Sequence, residues 1–295
     1  MAEKTVIALG FFDGVHIGHG ALLRRCVERA RELGAMPAAF TFDRAPKEFV
    51  TGVSVPLLTS AAERAALIRE VYGIERTIVA PFDNAMMTMP WRSFLELLVS
   101  RYGAAHLVAG HDYRFGYKNE GTPEILRTWC AEHGLGCDII PRVELHGVTV
   151  SSTYIRTLVE AGDMEGAAAF LGHPYAVTGT VKHGKHLGTE ELFPTVNLMP
   201  EPWRVLPRFG VYAVRVALSE GSEYAGVTNV GIRPTIVDDN RVTIETNLIG
   251  FDGDLYGREL RVLFRRFLRQ EKKFDSMAEL HRQIERDIVE AQAEN

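Results

Sequence analysis

The sequence is poor in cysteine and contains no long apolar segment. Its three cysteines, Cys26, Cys130 and Cys137, match no metal-ligand spacing, which argues against a zinc module or a disulfide scaffold and suits a reducing compartment. No stretch of roughly 18 or more apolar residues occurs, so we expect no transmembrane helix. The first residues lack the basic start and cleavage site of a signal peptide. These absences predict a cytoplasmic protein without a membrane partner.

An excess of basic residues is also absent. The chain has 33 Lys and Arg against 38 Asp and Glu, a net charge of -5, which does not suit a broad nucleic-acid surface. We therefore expect no nucleic-acid partner, and homo-oligomerisation is left open. Because 295 residues exceed one typical domain, two domains are predicted.

The first half alternates short apolar runs with amphipathic stretches. The apolar runs, at 5–12, 37–42, 76–82, 105–110 and 137–143, suit buried parallel strands. The amphipathic stretches, which each end in glycine, lie at 20–34, 60–73, 91–103 and 122–134. This alternation predicts a doubly wound α/β sheet, in which ligands bind beyond the carboxyl ends of the strands.

From Tyr175 the pattern changes to short strands with Gly, Asp and Asn turns. An amphipathic helix follows, with Asp275 or Ser276 as its expected N-cap. Several short strands and one helix predict a small barrel. The predicted organisation is an α/β domain at 1–158, a helical connector at 159–174 and a barrel domain at 175–295.

The loop after the first strand, GFFDGVHIGH at 10–19, carries two histidines at the start of a helix. Backbone amides and the helix dipole at such a position favour phosphate. His16 and His19 would donate hydrogen bonds to phosphate oxygens as charge builds during displacement. Gly18 has no side chain, which leaves room for a ligand to approach the backbone. The loop therefore predicts a nucleotide phosphate site.

Two later segments belong at the same sheet edge. AGHDYRFG at 109–116 follows a strand and offers Asp112 and Arg114. SSTYIR at 151–156 offers three hydroxyls at a helix start and Arg156 one turn later, an arrangement that suits phosphate.

Together these three segments resemble the HxGH nucleotidylyltransferases, and specifically the N-terminal domain of the bacterial riboflavin kinase/FAD synthetase family. That family shows GxFDGVHxGH, GxDxxFG and SSTxIR in this order. The resemblance implies a Rossmann-like domain that transfers AMP from ATP to FMN, with Mg²⁺ to offset phosphate charge. It assigns catalysis to His16 and His19, and ATP and phosphate binding to Gly10, Phe12, Asp13, Gly18, Asp112, Arg114, Ser151, Ser152, Thr153 and Arg156.

The second half carries four segments, at 184–197, 229–235, 244–257 and 269–276, that resemble the riboflavin kinase domain of the same family. The resemblance implies a riboflavin-kinase-like β-barrel with a C-terminal helix. It assigns Glu245 to orient or deprotonate the ribityl 5′-hydroxyl of riboflavin. Thr195 and Asn197 would supply oxygens to Mg²⁺, and the ATP and flavin site would include Gly184, Gly188, Pro194, Thr195, Asn197 and Arg233.

Both halves depart from the family pattern. The family's TFxPHP reads TFDRAP here, with Ala45 at the histidine and Arg44 at a proline. In the kinase loop, Thr189 replaces a basic residue and Leu192 replaces a glycine, with two carboxylates between them. These changes leave open a paralogue with one activity, or with weakened rates.

Three other classes of protein share some of these features. Class I aminoacyl-tRNA synthetases share the HIGH letters but require a KMSKS-like loop, which is absent from the sequence. A stand-alone nucleotidylyltransferase leaves the barrel motifs unexplained. A flavin-binding regulator that has lost catalysis would not need His16, His19, Arg156, Asn197 and Glu245 together. The favoured hypothesis is a bifunctional enzyme that makes FMN and then FAD.

Overall fold

The computed structural model describes residues 4–181, 195–232 and 242–293. The elements of the first half are β1 (Thr5–Leu9), α1 (Ile17–Leu33), β2 (Met36–Phe42), α2 (Pro46–Thr51), α3 (Ala61–Tyr72), β3 (Arg76–Ala80), α4 (Asn84–Thr88), α5 (Trp91–Tyr102), β4 (Ala104–Gly110), α6 (Pro123–Glu132), β5 (Gly136–Ile140), β6 (Glu144–Leu145) and β7 (Val148–Thr149).

The described residues of the second half form two helices, six strands and a final helix. They are α7 (Ser152–Ala161), α8 (Met164–Leu171), β8 (Ala176–Thr180), β9 (Thr195–Leu198), β10 (Gly210–Leu218), β11 (Glu223–Ile232), β12 (Val242–Leu248), β13 (Glu259–Arg269) and α9 (Met277–Ala293).

The first sheet is parallel, with strand order β3-β2-β1-β4-β5. All five residues of β1 are buried, because the strand is apolar and covered by helices on both faces. Successive residues of β1 point to opposite sides: Ile7 and Leu9 pack with Phe40 on one face, and Val6 and Ala8 pack with other residues on the opposite face. The predicted doubly wound α/β fold is confirmed, and the carboxyl ends of β1 and β4 lie side by side at the edge where such folds bind ligands.

Both ends of helix α3 are capped. The hydroxyl of Ser60 accepts a hydrogen bond from the Glu63 amide, and the Glu63 carboxylate accepts one from the Ser60 amide. This reciprocal capping box satisfies two amides that the first helical turn leaves open. The helix ends at Gly73, whose left-handed φ of 66° costs a glycine little.

The second sheet is antiparallel, with strand order β8-β13-β10-β11-β12-β9. It curls so that its edge strands approach each other: a Cβ added at Gly179 of β8 would lie 3.6 Å from Leu198 of β9. Helix α9 packs on β10 and β11 and is tied to β13 by an ion pair of 2.8 Å between Arg269 and the buried Asp287. The predicted barrel with its C-terminal helix is thus a curled half-barrel.

The chain divides into two compact units, Met1–Ser152 and Thr153–Asn295. The division falls at the start of α7, whereas the predicted limits at 158 and 174 stay a prediction. The segment expected to be helical forms two helices, α7 and α8, with Gly162 between them. Among the described residues no helix is both long and apolar enough to span a bilayer.

Candidate functional site

The loop between β1 and α1 places both histidines at the first turn of α1. His16 is the N-cap, and its Nδ1 accepts a hydrogen bond of 3.2 Å from the His19 amide. An imidazole nitrogen that accepts cannot carry the proton, so we assign the neutral His16 proton to Nε2. That tautomer makes Nε2–H a donor suited to a phosphate oxygen.

The two imidazole rings are stacked. Their centroids lie 3.5 Å apart at an interplanar angle of 12°, and Phe12 meets the His19 ring edge-on at 5.2 Å. Burial, the neighbouring His16 and the Arg64 guanidinium hold the pKa of His19 well below its usual range. Because burial and these two neighbours disfavour the charged form of His19, its imidazole is neutral at neutral pH.

Two glycines leave room for the rings of this loop. A Cβ at Gly10 would come within 2.9 Å of the Phe12 ring, and a Cβ at Gly18 would come within 3.1 Å of the His16 ring. The structure thus gives Gly18 a role beside His16, where the sequence suggested an approach to ligand. Phe12 itself is fully buried and packs inside the loop, so its assignment to ATP binding stays a prediction.

Asp13 joins the loop to residues 58–64, a segment we call the strap. Its buried carboxylate accepts hydrogen bonds from the amides of Leu58 (2.9 Å) and Thr59 (3.1 Å). The Thr59 hydroxyl in turn accepts one of 2.9 Å from the Gly14 amide, and the Ser152 hydroxyl donates one of 2.9 Å to the Asp13 carbonyl. These contacts give Asp13 a positioning role, and direct contact of Asp13 with ATP stays a prediction.

Arg64, on α3, was not anticipated from the sequence. Its side chain is fully buried, its Nη2 donates a 2.6 Å hydrogen bond to the Phe42 carbonyl, and its Cζ lies 4.2 Å from the centre of the Phe11 ring. An arginine on an amphipathic helix ordinarily lies on the solvent face. The hydrophobic periodicity of the sequence therefore does not predict that Arg64 is buried. Burial lowers its pKa to about 10, which leaves it charged at neutral pH.

An apolar cavity of about 540 Å³ opens at the carboxyl ends of β2, β3 and β4. Its lining is aromatic and methionine-rich and includes Phe42, Phe82, Met86, Met89, Tyr113 and Phe115. Lys47, Arg114 and Lys118 also line it and supply positive charge. A flat aromatic ligand with an anionic tail fits this chemistry. Of these residues the sequence predicted Arg114 alone.

The other predicted residues of the first site are distributed as follows. Asp112, just beyond β4, is exposed, with its carboxylate 3.9 Å from His111. Ser151 precedes α7, and Thr153 and Arg156 lie on that helix within the second compact unit. Their participation in phosphate binding stays a prediction.

The altered TFDRAP stretch lies at the start of α2. Ala45 is buried and is the N-cap without a side-chain hydrogen bond. The Arg44 side chain is 60% exposed and pairs with Asp43 at 3.6 Å, whereas Lys47, on the next turn, lines the apolar cavity. Lys47 is therefore better placed than Arg44 to supply positive charge at this cavity.

The second unit aligns three polar residues across adjacent strands. Asn197 on β9 pairs with Glu245 on β12, and Glu245 pairs with Asn229 on β11. Directly paired residues of antiparallel strands project from the same face with Cβ atoms about 5 Å apart. This polar row (Asn197, Glu245 and Asn229) brings together two predicted site residues and Asn229, to which the sequence assigned no role.

The polar row contains oxygen atoms suited to a cation or a hydroxyl. The Oδ1 atoms of Asn197 and Asn229 are buried and have no hydrogen-bond partner among the described residues. Asn229 Nδ2 donates a 2.9 Å hydrogen bond to Glu271 Oε1, which fixes the orientation of its amide. Thr195, exposed at the start of β9, lines a small cavity with Asp254. Neutral oxygens of this kind fit Mg²⁺, which prefers oxygen ligands.

Several predicted residues lie outside the described residues, namely Gly184, Gly188, Thr189, Leu192, Pro194 and Arg233. Within the described ranges, no cluster of three His, Cys, Asp or Glu could hold a metal ion. The oxygens of Thr195 and Asn197 thus remain the proposed metal ligands.

Two family models match the chain one after the other. A model described as FAD synthetase matches residues 1–154, and one described as Riboflavin kinase matches residues 171–294. The bifunctional riboflavin kinase/FMN adenylyltransferase of Pseudomonas fluorescens is 36% identical over 289 residues, 98% of this chain and 92% of that relative. The chain belongs to this bifunctional family.

Family members from other bacteria are similar over the same length. Those of Bacillus subtilis (32% identity) and Escherichia coli K12 (35%) each align with 98% of this chain and 92% of their own. A solved structure from Streptococcus pneumoniae, named a macrolide-efflux protein, has a TM-score of 0.88 at 28% identity and covers 99% of this chain and 95% of its own. Because its name differs from that of the curated relatives, we take only the fold from it.

Proposed function

We propose that this chain phosphorylates riboflavin to FMN in its second unit and adenylylates FMN to FAD in its first. Its relatives are named for both activities, and ATP, riboflavin and FMN are the substrates they imply. The observation that carries the proposal is that each unit holds its own polar site: the stacked His16–His19 pair in one and the polar row in the other.

For adenylyl transfer, a phosphate oxygen of FMN attacks the α-phosphorus of ATP, the bond to the bridging oxygen breaks, and pyrophosphate leaves. The chain contributes positioning and charge stabilisation without a covalent intermediate. His16 donates through Nε2–H, and His19 adds a second imidazole at the helix N-terminus. Arg156 and the hydroxyls of Ser151 and Thr153 are proposed as further phosphate ligands.

We place the isoalloxazine ring of FMN in the apolar cavity of the first unit. Aromatic and methionine side chains suit a flat ring system. Lys47, Arg114 and Lys118 would then neutralise the FMN phosphate. Lys47 in particular offers positive charge in the region where the family's histidine is replaced by Ala45.

For the kinase step, the ribityl 5′-oxygen bonds to the γ-phosphorus of ATP while the bond to the β–γ bridging oxygen breaks and ADP leaves. Glu245 orients this hydroxyl and takes its proton. Asn197 and Thr195 would hold Mg²⁺, which when bound neutralises charge on the ATP phosphates. The buried, unpartnered Oδ1 of Asn197 supports this assignment. We expect both reactions to take place in the cytoplasm, where ATP is made.

The regulator hypothesis is not favoured, because the chain matches both catalytic family models along nearly its whole length. The test is to incubate the purified chain with ATP and Mg²⁺ and either riboflavin or FMN, and to separate the flavins by chromatography. We expect FMN and then FAD from riboflavin, and FAD from FMN. Absence of FAD from FMN would remove the first assignment, and absence of FMN from riboflavin the second.

A further inference from the structure

The loop that carries the two histidines has an unfavourable backbone. Phe12 has a φ of 58° and Val15 a φ of 44°, in a region that bulky and β-branched residues rarely adopt. Such conformations persist where the surroundings over-determine them, and they concentrate at functional sites. The question is which contacts hold this loop in place.

The strap supplies those contacts from the side of α3. Asp13 accepts the Leu58 and Thr59 amides, and the Gly14 amide donates to the Thr59 hydroxyl. The strap ends in Arg64, whose guanidinium covers the Phe11 ring at the other end of the loop. The loop is thus held at two points.

Burial of Arg64 beside Phe11 is unfavourable for the stability of the fold. Its side chain is fully buried, and its Nε and Nη1 have no hydrogen-bond partner among the described residues. A buried charge with unmet donors destabilises a fold, and an apolar side chain of similar size is often tolerated better. The residue therefore has a use other than stability.

We propose that Arg64 is a positioning residue of the adenylyl-transfer site. Its guanidinium joins the Phe11 ring, after β1, to the Phe42 carbonyl, at the end of β2, and so keeps His16 and His19 aimed at the phosphates. This inference rests on the proposed formation of FAD by the first unit and goes beyond it by naming a residue that acts through others.

Arg64 acts on His19 through its charge as well as through its shape. Burial, His16 and Arg64 together lower the pKa of His19. The acidic groups that act on Arg64 are Asp13 in the loop, Asp43 after β2 and Glu63 on α3. Removing the guanidinium would leave these carboxylates uncompensated, so the His19 imidazole would protonate at a higher pH.

The test is Arg64→Met in the full chain, with Arg69→Met, an exposed arginine of the same helix, as the matched control. We expect kcat for FAD formation to fall about 100-fold, with KM for ATP and FMN within a factor of about three. The kinase step of the same molecule should be unchanged. NMR of the imidazole carbons should show the His19 midpoint moved to higher pH, and the Arg64→Lys variant separates loss of the charge from loss of packing.

Arg64→Lys keeps the charge but loses the planar guanidinium that covers the Phe11 ring. We therefore expect a His19 midpoint near that of the wild type and a kcat for FAD formation about 10-fold below that of the wild type. Full kcat with an unmoved midpoint in Arg64→Met overturns the inference. If Arg64→Met also loses kinase activity, the result for Arg64→Lys is decisive. Full kcat for FAD formation in Arg64→Lys would then overturn the inference. A wild-type chain that makes no FAD refutes the proposed function instead, and the His19 midpoints still report whether Arg64 acts on the loop.

Discussion

At the scale of single residues, the two sites offer different chemistry to their phosphates. The first presents two imidazoles, of which His19 stays neutral because burial and nearby charge lower its pKa. The second presents a carboxylate, Glu245, between two amide side chains. Transfer to a phosphate oxygen needs charge stabilisation, whereas transfer to an alcohol also needs a place for the hydroxyl proton. The residue types match these needs.

Glu245→Gln removes the group proposed to take that proton while preserving shape. We expect kcat for FMN formation to fall by about 10³-fold and FAD formation from FMN to stay at the wild-type rate. Both rates are measured by chromatography of the flavins. The matched control is Glu223→Gln, an exposed glutamate of the neighbouring strand β11, which should change neither. A fully active Glu245→Gln kinase would remove Glu245 from the mechanism.

Asn197→Ala tests the proposed metal ligand. Loss of its amide oxygen should raise the Mg²⁺ concentration needed for half-maximal FMN formation by about 10-fold or more, which a Mg²⁺ titration of the kinase rate measures. The Mg²⁺ dependence of FAD formation by the same variant serves as its control and should not move. An unchanged kinase titration would contradict the assignment.

Motif residues such as His16 and Glu245 could be predicted because their neighbours in sequence fix their surroundings. Arg64 and Asn229 could not. Arg64 depends on contacts with Phe11 and Phe42, which are distant in sequence. The sequence contained the segment with Asn229 but gave no cross-strand register, and it is the register that places Asn229 beside Glu245.

At the scale of elements, the periodic segments were predicted well and the short ones were not. The strands and main helices of the first half lie where apolar runs and amphipathic stretches indicated. Strand β9 was not predicted, because four residues with alternating polar side chains give too little pattern beside a glycine-rich segment. The strap was not predicted either, because the hydrogen bonds that the Leu58 and Thr59 amides donate to Asp13 have no counterpart in sequence periodicity.

Thr59→Val tests the strap as an element. The change keeps the shape but removes the buried hydroxyl that accepts from the Gly14 amide and donates to Asp13. We expect a loss of about 2 kcal/mol in the free energy of unfolding and slower FAD formation with an intact kinase. Denaturant unfolding and the two flavin assays measure this.

The control for this substitution is Thr88→Val, since the Thr88 hydroxyl also makes a hydrogen bond, donated to the Asn84 carbonyl, but is exposed. It should change the unfolding free energy by less than about 0.5 kcal/mol. Equal destabilisation by the two substitutions would mean that the Thr59 hydroxyl in the strap contributes no more to the free energy of unfolding than an exposed threonine hydroxyl.

At the scale of the whole molecule, buried histidines set how stability depends on pH. Burial lowers the pKa of His106 as well as that of His19, although His106 lies 3.0 Å from the Asp138 carboxylate. Their pKa values in the fold lie below the ordinary value of 6.5. The unfolded chain therefore takes up protons that the folded chain refuses as pH falls below that value.

We accordingly expect full stability above about pH 7.5 and a falling thermal midpoint from there to about pH 5.5. The slope approaches roughly 1.4 kcal/mol per pH unit for each histidine. His106→Gln should reduce this dependence, and the exposed His111→Gln should leave it unchanged. A midpoint that rises as the solution is acidified would contradict the buried neutral histidines.

The central claim is that the chain holds two separate active sites, one for each reaction, and that FMN made at the kinase site is used at the adenylyl-transfer site. It is tested most directly by mixing two purified variants, Glu245→Gln and His19→Ala, with riboflavin, ATP and Mg²⁺. We predict that the first variant alone leaves riboflavin unchanged, that the second alone stops at FMN, and that the mixture produces FAD. Failure of the mixture to produce FAD, or loss of both activities in either variant, would contradict the account.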